Sequence, residues 1–219
     1  MTLRASILAF VAALALTGAP APAGAQTDTS SMSLRDLGLI TKANQYLQGL
    51  GEVKGRFEQT SPRGAVSSGD LYLKRPGKAR FQYDAPSGLQ VVADGRNVSV
   101  WDPRLKTFDR APIDATPLVI LLAHQVRLDL DTQITRVGLM DDGFYIAARN
   151  ARGQGKSEGY ITMVFGQNPT VLRGWTLVDG QGQATKVKIT DLKPQAVDPA
   201  LFVLNDPRPP AEKPKIAKP

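Results

Sequence analysis

From Val53 onward the chain alternates apolar and polar residues in short runs. This is the period of a half-buried β-strand, and it limits the possible folds more than any other feature. The runs cover residues 56–60, 68–75, 79–83, 89–93, 98–101, 107–110, 131–137, 144–150, 160–165, 171–178 and 185–192. Asp94-Gly95, Asp142-Gly143 and Asp179-Gly180 stand between some of them, and such dipeptides accept the positive φ of a tight reversal. Many short strands in meander order imply one large antiparallel sheet, curled or closed. No repeat of roughly 20–50 residues recurs, which excludes a solenoid.

Two helices interrupt this regime. Ser33 has the chemistry of an N-cap, with Asp36 at the third helical position. Leu34, Leu37, Ile40, Ala43, Leu47 and Leu50 then recur at steps of three or four, the apolar stripe of a helix that Gly49 and Gly51 end. The second helix starts with Thr116 as cap and Pro117 at the first position, followed by Leu118-Val119-Ile120-Leu121-Leu122-Ala123. A short helix that is apolar on all sides must be covered both by the sheet and by something else, or by a ligand.

The ends of the chain read differently from its middle. Arg4, the apolar residues 7–16, the breakers Gly18 and Pro20, and Ala23-Gly24-Ala25 before Gln26 follow the order of a cleaved export signal. The apolar run falls short of the roughly 18 residues that a membrane span needs. The expected organisation is a signal peptide over 1–25, one domain over 26–206 and a Pro/Lys-rich, disordered extension over 207–219. The chain has no cysteine, so it carries neither a disulfide nor a cysteine for lipid attachment. Its formal net charge of +7 includes Arg4 and a strongly basic tail, which leaves about +3 on the folded part. No basic cluster with interleaved base-reading residues occurs, which argues against nucleic acid, while a weak attraction to anionic lipid or an acidic partner stays open.

Catalytic chemistry has few residues to draw on. His124 is the one histidine and sits at the end of the apolar helix, where a helix-end role accounts for it. Zinc sites built from His and Cys are excluded by inventory, and no cofactor is expected. Asp141-Asp142 falls in a turn. Gly155-Lys156-Ser157 resembles the end of a phosphate-binding loop, but Asn150 stands where its first glycine is required and a strand follows instead of a helix.

The inward faces of the strands hold the candidate site. Strand alternation groups Leu71 and Leu73 with Arg75 at the strand end. Ala79, Phe81 and Tyr83 form a second inward face, Leu89 and Val91 a third, Val98 and Val100 a fourth, and Trp175 with Leu177 a further one. Ordinary core accounts for such faces. A single curled sheet with only two helices to fill it also favours a cavity for something apolar. Arg75 keeps its charge and needs carbonyls, carboxylates or water. The pattern allows either a rim arginine that snorkels to solvent or one that bonds whatever covers the sheet.

At this point the residues resemble a known family. The ordered set is Phe57-Glu58-Gln59, Gly69-Asp70-Leu71-Tyr72-Leu73-Lys74-Arg75-Pro76, Phe81-Gln82-Tyr83, Pro86, Asp94-Gly95, Val98 to Asp102, and Thr116-Pro117. It continues with Trp175, Asp179-Gly180-Gln181-Gly182-Gln183-Ala184-Thr185, Asp198-Pro199, Phe202 and Pro207. In order and spacing it is similar to the LolA family of periplasmic outer-membrane lipoprotein carriers, over about residues 34–207. The resemblance implies a mainly β fold, an unclosed antiparallel β-barrel or half-barrel under a helical lid.

It also implies a monomeric, non-enzymatic periplasmic shuttle. Such a shuttle takes triacylated lipoproteins from an inner-membrane ATP-driven release transporter (an ABC transporter) to an outer-membrane acceptor. The lipid cavity is then expected at Leu71, Leu73, Phe81, Tyr83, Val91, Val98, Val100, Leu118, Leu121, Leu122 and Trp175, with Arg75 as the latch that holds the lid shut. The basic tail departs from the family's usual ending. Two other readings are a lipid-sensing or regulatory binding module of the same fold and an unrecognised enzyme. The residue inventory disfavours the enzyme.

Overall fold

In a computed structural model of the chain, the described residues are 32–116, 121–122, 126–150 and 159–208. The expected signal peptide, Leu118, His124, the segment 155–157 and the tail beyond Arg208 lie outside them.

Eleven strands form one antiparallel sheet: β1 (Glu52–Thr60), β2 (Val66–Lys74), β3 (Lys78–Tyr83), β4 (Gln90–Asp94), β5 (Asn97–Asp102), β6 (Thr107–Pro112), β7 (Thr132–Met140), β8 (Gly143–Asn150), β9 (Tyr160–Gln167), β10 (Thr170–Val178) and β11 (Ala184–Pro194). Their order is β6-β5-β4-β3-β2-β1-β11-β10-β9-β8-β7, so β6 and β7 are free edges and the sheet is unclosed. Each neighbour follows its predecessor in sequence except at the centre, where β1 pairs with β11 and brings the two ends of the domain together.

The sheet curls strongly. On a flat sheet β3 and β10, four strand intervals apart, would be separated by about 19 Å. The rings of Phe81 and Trp175, one from each strand, have centroids 6.1 Å apart and meet edge to face. Phe57 meets Phe81 at 5.3 Å and Tyr83 at 4.9 Å in the same manner, so four aromatic residues line the inner face in series. Gly69 makes room for them. A Cβ there would lie 2.1 Å from the Gln82 carbonyl oxygen and 2.8 Å from Phe57.

Helix α1 (Leu34–Gly49) lies on the inner face. Ser33 caps it by accepting from the Asp36 amide at 3.2 Å, as the sequence implies. Its buried residues are Leu39, Ile40, Ala43 and Leu47. The expected stripe is corrected at its start, because Leu34 and Leu37 are 89% and 39% exposed. The buried face begins one turn later than expected, with Leu39 buried where Leu37 was expected to be. A one-turn helix α2 (Leu128–Asp131), absent from the sequence reading, leads into β7.

On the opposite, outer face the chain beyond β11 forms a strap. Phe202 and Val197 pack with Val92 and Tyr72 in a second, small apolar cluster. Arg80 Nη1 donates to the Leu201 carbonyl at 3.0 Å and Arg110 Nη2 to that of Leu204 at 3.1 Å, fixing the strap across β3 to β6.

Candidate functional site

The inner-face positions expected to line a cavity lie together. Leu71, Leu73, Phe81, Tyr83, Val91, Val98, Val100, Leu121, Leu122 and Trp175 are all buried in one apolar cluster. Leu39, Ile40, Ala43 and Leu47 of α1 belong to it, as do Val126 and Leu128 of the covering segment. In this conformation the inner face is therefore packed core.

The cover is joined to itself by directed bonds. Asn44 on α1 donates to Asp129 at 2.9 Å and accepts from the Leu128 amide at 3.0 Å, and Gln48 donates to the Val126 carbonyl at 3.0 Å. Its contacts with the sheet include the edge of Tyr46 against Phe165, with centroids 6.3 Å apart, and the apolar cluster. Tyr46 also hydrogen-bonds the Leu172 backbone of β10. A body tied internally by hydrogen bonds and held to its base mainly by apolar contact is able to move as a unit.

One backbone bond ties cover and sheet where β2 turns into β3. The Gly77 amide donates to the Leu122 carbonyl at 2.9 Å. Gly77 has φ +80°, and a Cβ there would lie 2.9 Å from the Gly95 Cα, so the turn is nested against the β4–β5 turn and suits glycine. The sequence reading passed over Gly77, although the Pro76-Gly77 pair after Arg75 is itself a turn signal.

Arg75 is the first residue of that turn. Strand β2 ends at Lys74, so Arg75 stands just past the inward row of Leu71 and Leu73 instead of closing it. Its amide donates to the Gly51 carbonyl at 3.2 Å. Its side chain is half-buried, and that burial lowers the guanidinium pKa from its ordinary value.

Open space appears at the other end of the strands. A cavity of about 550 Å³ lies between the β1–β2 connection, the β3–β4 loop and the β5–β6 turn. Its apolar lining includes Leu89, Val91, Val100 and Leu105, with Arg63 and Arg104 among its charged lining residues. Tyr83, Val91 and Val100 belong to both this cavity and the buried cluster, so the opening leads onto the inner face. The sequence reading missed its loop residues, because three separate loops within residues 59–105 build it and no local pattern links them.

The cavity's acidic groups are engaged by the protein itself. Arg56 bonds Asp84 at 2.5 Å and Asp70 at 3.1 Å. The Arg56 and Ser68 contacts hold the Asp84 carboxyl below its usual range. Asp102 accepts from the amides of Arg104 and Leu105. Tyr83 donates to Gln59 at 2.7 Å, and burial pushes its phenol pKa far up.

Two chemical features complete the site. Trp175 is 3% exposed, and its buried indole Nε1 has no hydrogen-bond partner among the described residues, an orphan donor in an otherwise apolar face. Among the described residues no three His, Cys, Asp or Glu side chains converge as a metal site would require.

Comparison with known proteins matches the family model "Outer membrane lipoprotein carrier protein LolA" to residues 48–205. An outer-membrane lipoprotein carrier protein of Xylella fastidiosa (strain Temecula1) is 30% identical over 179 residues, covering 80% of each chain. One from Azotobacter vinelandii is 27% identical over 177 residues, covering 74% of this chain and 82% of the other. Among solved structures, the LolA superfamily protein NE2245 of Nitrosomonas europaea aligns over 77% of this chain and 97% of its own, at 12% identity and a TM-score of 0.45.

Proposed function

The chain belongs to the LolA family, and on that premise we propose that it is a periplasmic carrier. It takes the acyl chains of triacylated lipoproteins between its sheet and cover and moves them from the inner to the outer membrane. The observation that supports this most is the inner face itself, which is broad, apolar and aromatic, under a cover tied mainly to itself. An acyl chain replaces one apolar contact with another, so opening the cover to a lipid costs far less than opening it to water.

In this reading residues 1–25 are a cleaved export signal and 26–206 the carrier domain. Cargo comes from an inner-membrane ATP-driven release transporter and passes to an outer-membrane acceptor, with the carrier acting as a monomer. The role is binding and release, and it asks for no catalytic group and no cofactor. Arg75 and Gly77 together form the latch at one end of the cover, and the 550 Å³ cavity at the other end is the preformed start of the lipid path.

The test is binding of a fluorescent fatty-acid analogue, with displacement by a triacylated lipoprotein. Leu89→Glu is the informative variant, because Leu89 lines the cavity and is only half-buried, so the fold survives the substitution. A carboxylate facing the chain should weaken probe binding at least tenfold. Unchanged affinity in the folded variant would remove the cavity from the lipid path.

A further inference from the structure

The two halves of the sheet differ in charge. Strands β1 to β6 carry six Lys or Arg and six Asp or Glu. Strands β7 to β11 carry six Lys or Arg and one acid, Asp191. The cations of the first half are largely engaged: Arg56 with Asp70 and Asp84, Lys74 with Glu52, and Arg80 and Arg110 with the strap. In the second half Arg173 pairs with Asp142 and Lys193 with Asp191. Arg136, Arg149, Lys186 and Lys188 remain exposed, with no ion pair to any described carboxylate.

All four point to the outer face. Phe144, Ile146 and Ala148 of β8 face inward, which turns Arg149 outward, and Arg136 pairs with the outward Ala147. On β11, Val187 and Ile189 face inward and so turn Lys186 and Lys188 outward.

The register shows what lies between them. One row across five strands reads Arg136, Ala147, Thr162, Thr176, Lys186. The next reads Gly138, Tyr145, Val164, Gly174, Lys188. In the first row long cations stand at both flanks, about 19 Å apart measured along the sheet. In the second Lys188 holds one flank and Gly138 the other, and apart from Tyr145 the residues between are short and neutral. On a curled sheet the middle of the outer face stands proud. Short side chains at the crest and long ones at the flanks level it toward a plane that is positive at its margins.

We propose that this outer face of β7–β11 rests against the anionic head-group layer of a bilayer. A plane is the one partner shape that reaches both flanks and the crest together, and phosphates repeat across it at a density that serves cations of unconstrained spacing. The one aromatic residue in these two rows, Tyr145, lies over Gly138 near the β7 margin and not at the centre, where a protein partner's anchor would sit. Contact through this face leaves the cover, on the opposite side of the sheet, free to move.

The test uses the full chain with vesicles of phosphatidylcholine alone and of phosphatidylcholine with 30–40% phosphatidylglycerol (roughly the regime in which each cation near a charged surface counts). Two quadruple variants are compared. One replaces Arg136, Arg149, Lys186 and Lys188 by Gln; the other replaces Lys42, Lys78, Arg96 and Lys106 by Gln, with the same change of net charge elsewhere. The expected result is salt-sensitive binding to the anionic vesicles only, weakened about a hundredfold in the first variant. In the second variant it should change by less than about tenfold. Equal losses in both variants would show a net-charge effect and overturn the assignment of the face. Absence of anionic-vesicle binding by the unaltered protein would show the face to be merely solvated. If the first variant instead lost binding only to an acidic membrane protein, the partner would be that protein and not the bilayer.

Discussion

Arg75 and Gly77 stand two residues apart in one turn, and each bears differently on the cover. Gly77 supplies a backbone bond to Leu122 that no side-chain change at its neighbour removes. Arg75 brings a half-buried charge whose surroundings are dry enough to lower its pKa, where bonds to carbonyls of the cover would contribute about 1.5–3 kcal/mol each to the closed state. Replacing Arg75 by Leu should leave the fold intact and shift the cover toward opening. Cargo uptake should persist while onward transfer to an acceptor fails, because closure no longer helps expel the lipid. Lys should restore only part of the transfer, since it lacks the planar fork of donors. Transfer at the unaltered rate in the Leu variant would reduce Arg75 to a rim residue.

Trp175 offers a sharper residue-level test of what the inner face accepts. Its orphan indole donor costs the empty protein about 1–3 kcal/mol, a cost that a hydrocarbon leaves standing and an ester or amide carbonyl removes. Trp175→Phe should therefore weaken binding of an acyl-ester probe about fivefold to tenfold and leave a plain alkyl probe nearly unaffected. Parallel titrations of the two probes decide it, and equal losses for both would mean that the ring's bulk matters and its N–H does not.

Among the elements, the strap is the one whose role the sequence hid. Asp198-Pro199 and Phe202 were visible as residues, but nothing local says that Phe202 folds back onto the outer face beside Val92. Strand alternation assigns Val92 outward, and only the tertiary fold covers it. Phe202→Ala should lower stability by about 3–5 kcal/mol, the usual result of emptying a buried aromatic site. Because the strap lies on the far side of the sheet from the proposed lipid path, the folded variant should bind the fatty-acid probe as before. Denaturant melts alongside probe titration check both halves of that statement.

The strands were far more legible than the strap. A period of two repeated over runs of four to eight residues is a local signal, and Asp-Gly turns punctuate it, so the reading reached all eleven strands with errors only at their ends. Arg75 shows the kind of error made, since alternation does not reveal that Pro76-Gly77 bends the chain one residue early. Helix α2 was missed because four residues are too few to display a helical period. Leu34 and Leu37 were assigned to a buried stripe because periodicity reports one face of a helix but not how far the underlying sheet extends. The candidate site divides the same way: its inner-face residues follow from alternation, while the cavity built by three separate loops has no local signature.

At the scale of the whole molecule, a single curled sheet serves three surfaces at once. In the proposed function the inner face and its cover hold the lipid, while the outer face of β1–β6 carries the strap and the outer face of β7–β11 presents its cations. The open edges at β6 and β7 are what permit this. A closed barrel of eleven strands would fix its interior volume, whereas an unclosed sheet accommodates a guest by moving the cover alone. The central claim is that this movement extracts a lipoprotein from a membrane into solution. Its most direct test incubates the protein with inner-membrane vesicles that contain the ATP-driven release transporter and a labelled triacylated lipoprotein, adds ATP, and sediments the vesicles. The account predicts labelled lipoprotein in the supernatant in a soluble complex with the protein. Label that stays with the pellet, when a carrier of the same family releases it under identical conditions, would contradict the account.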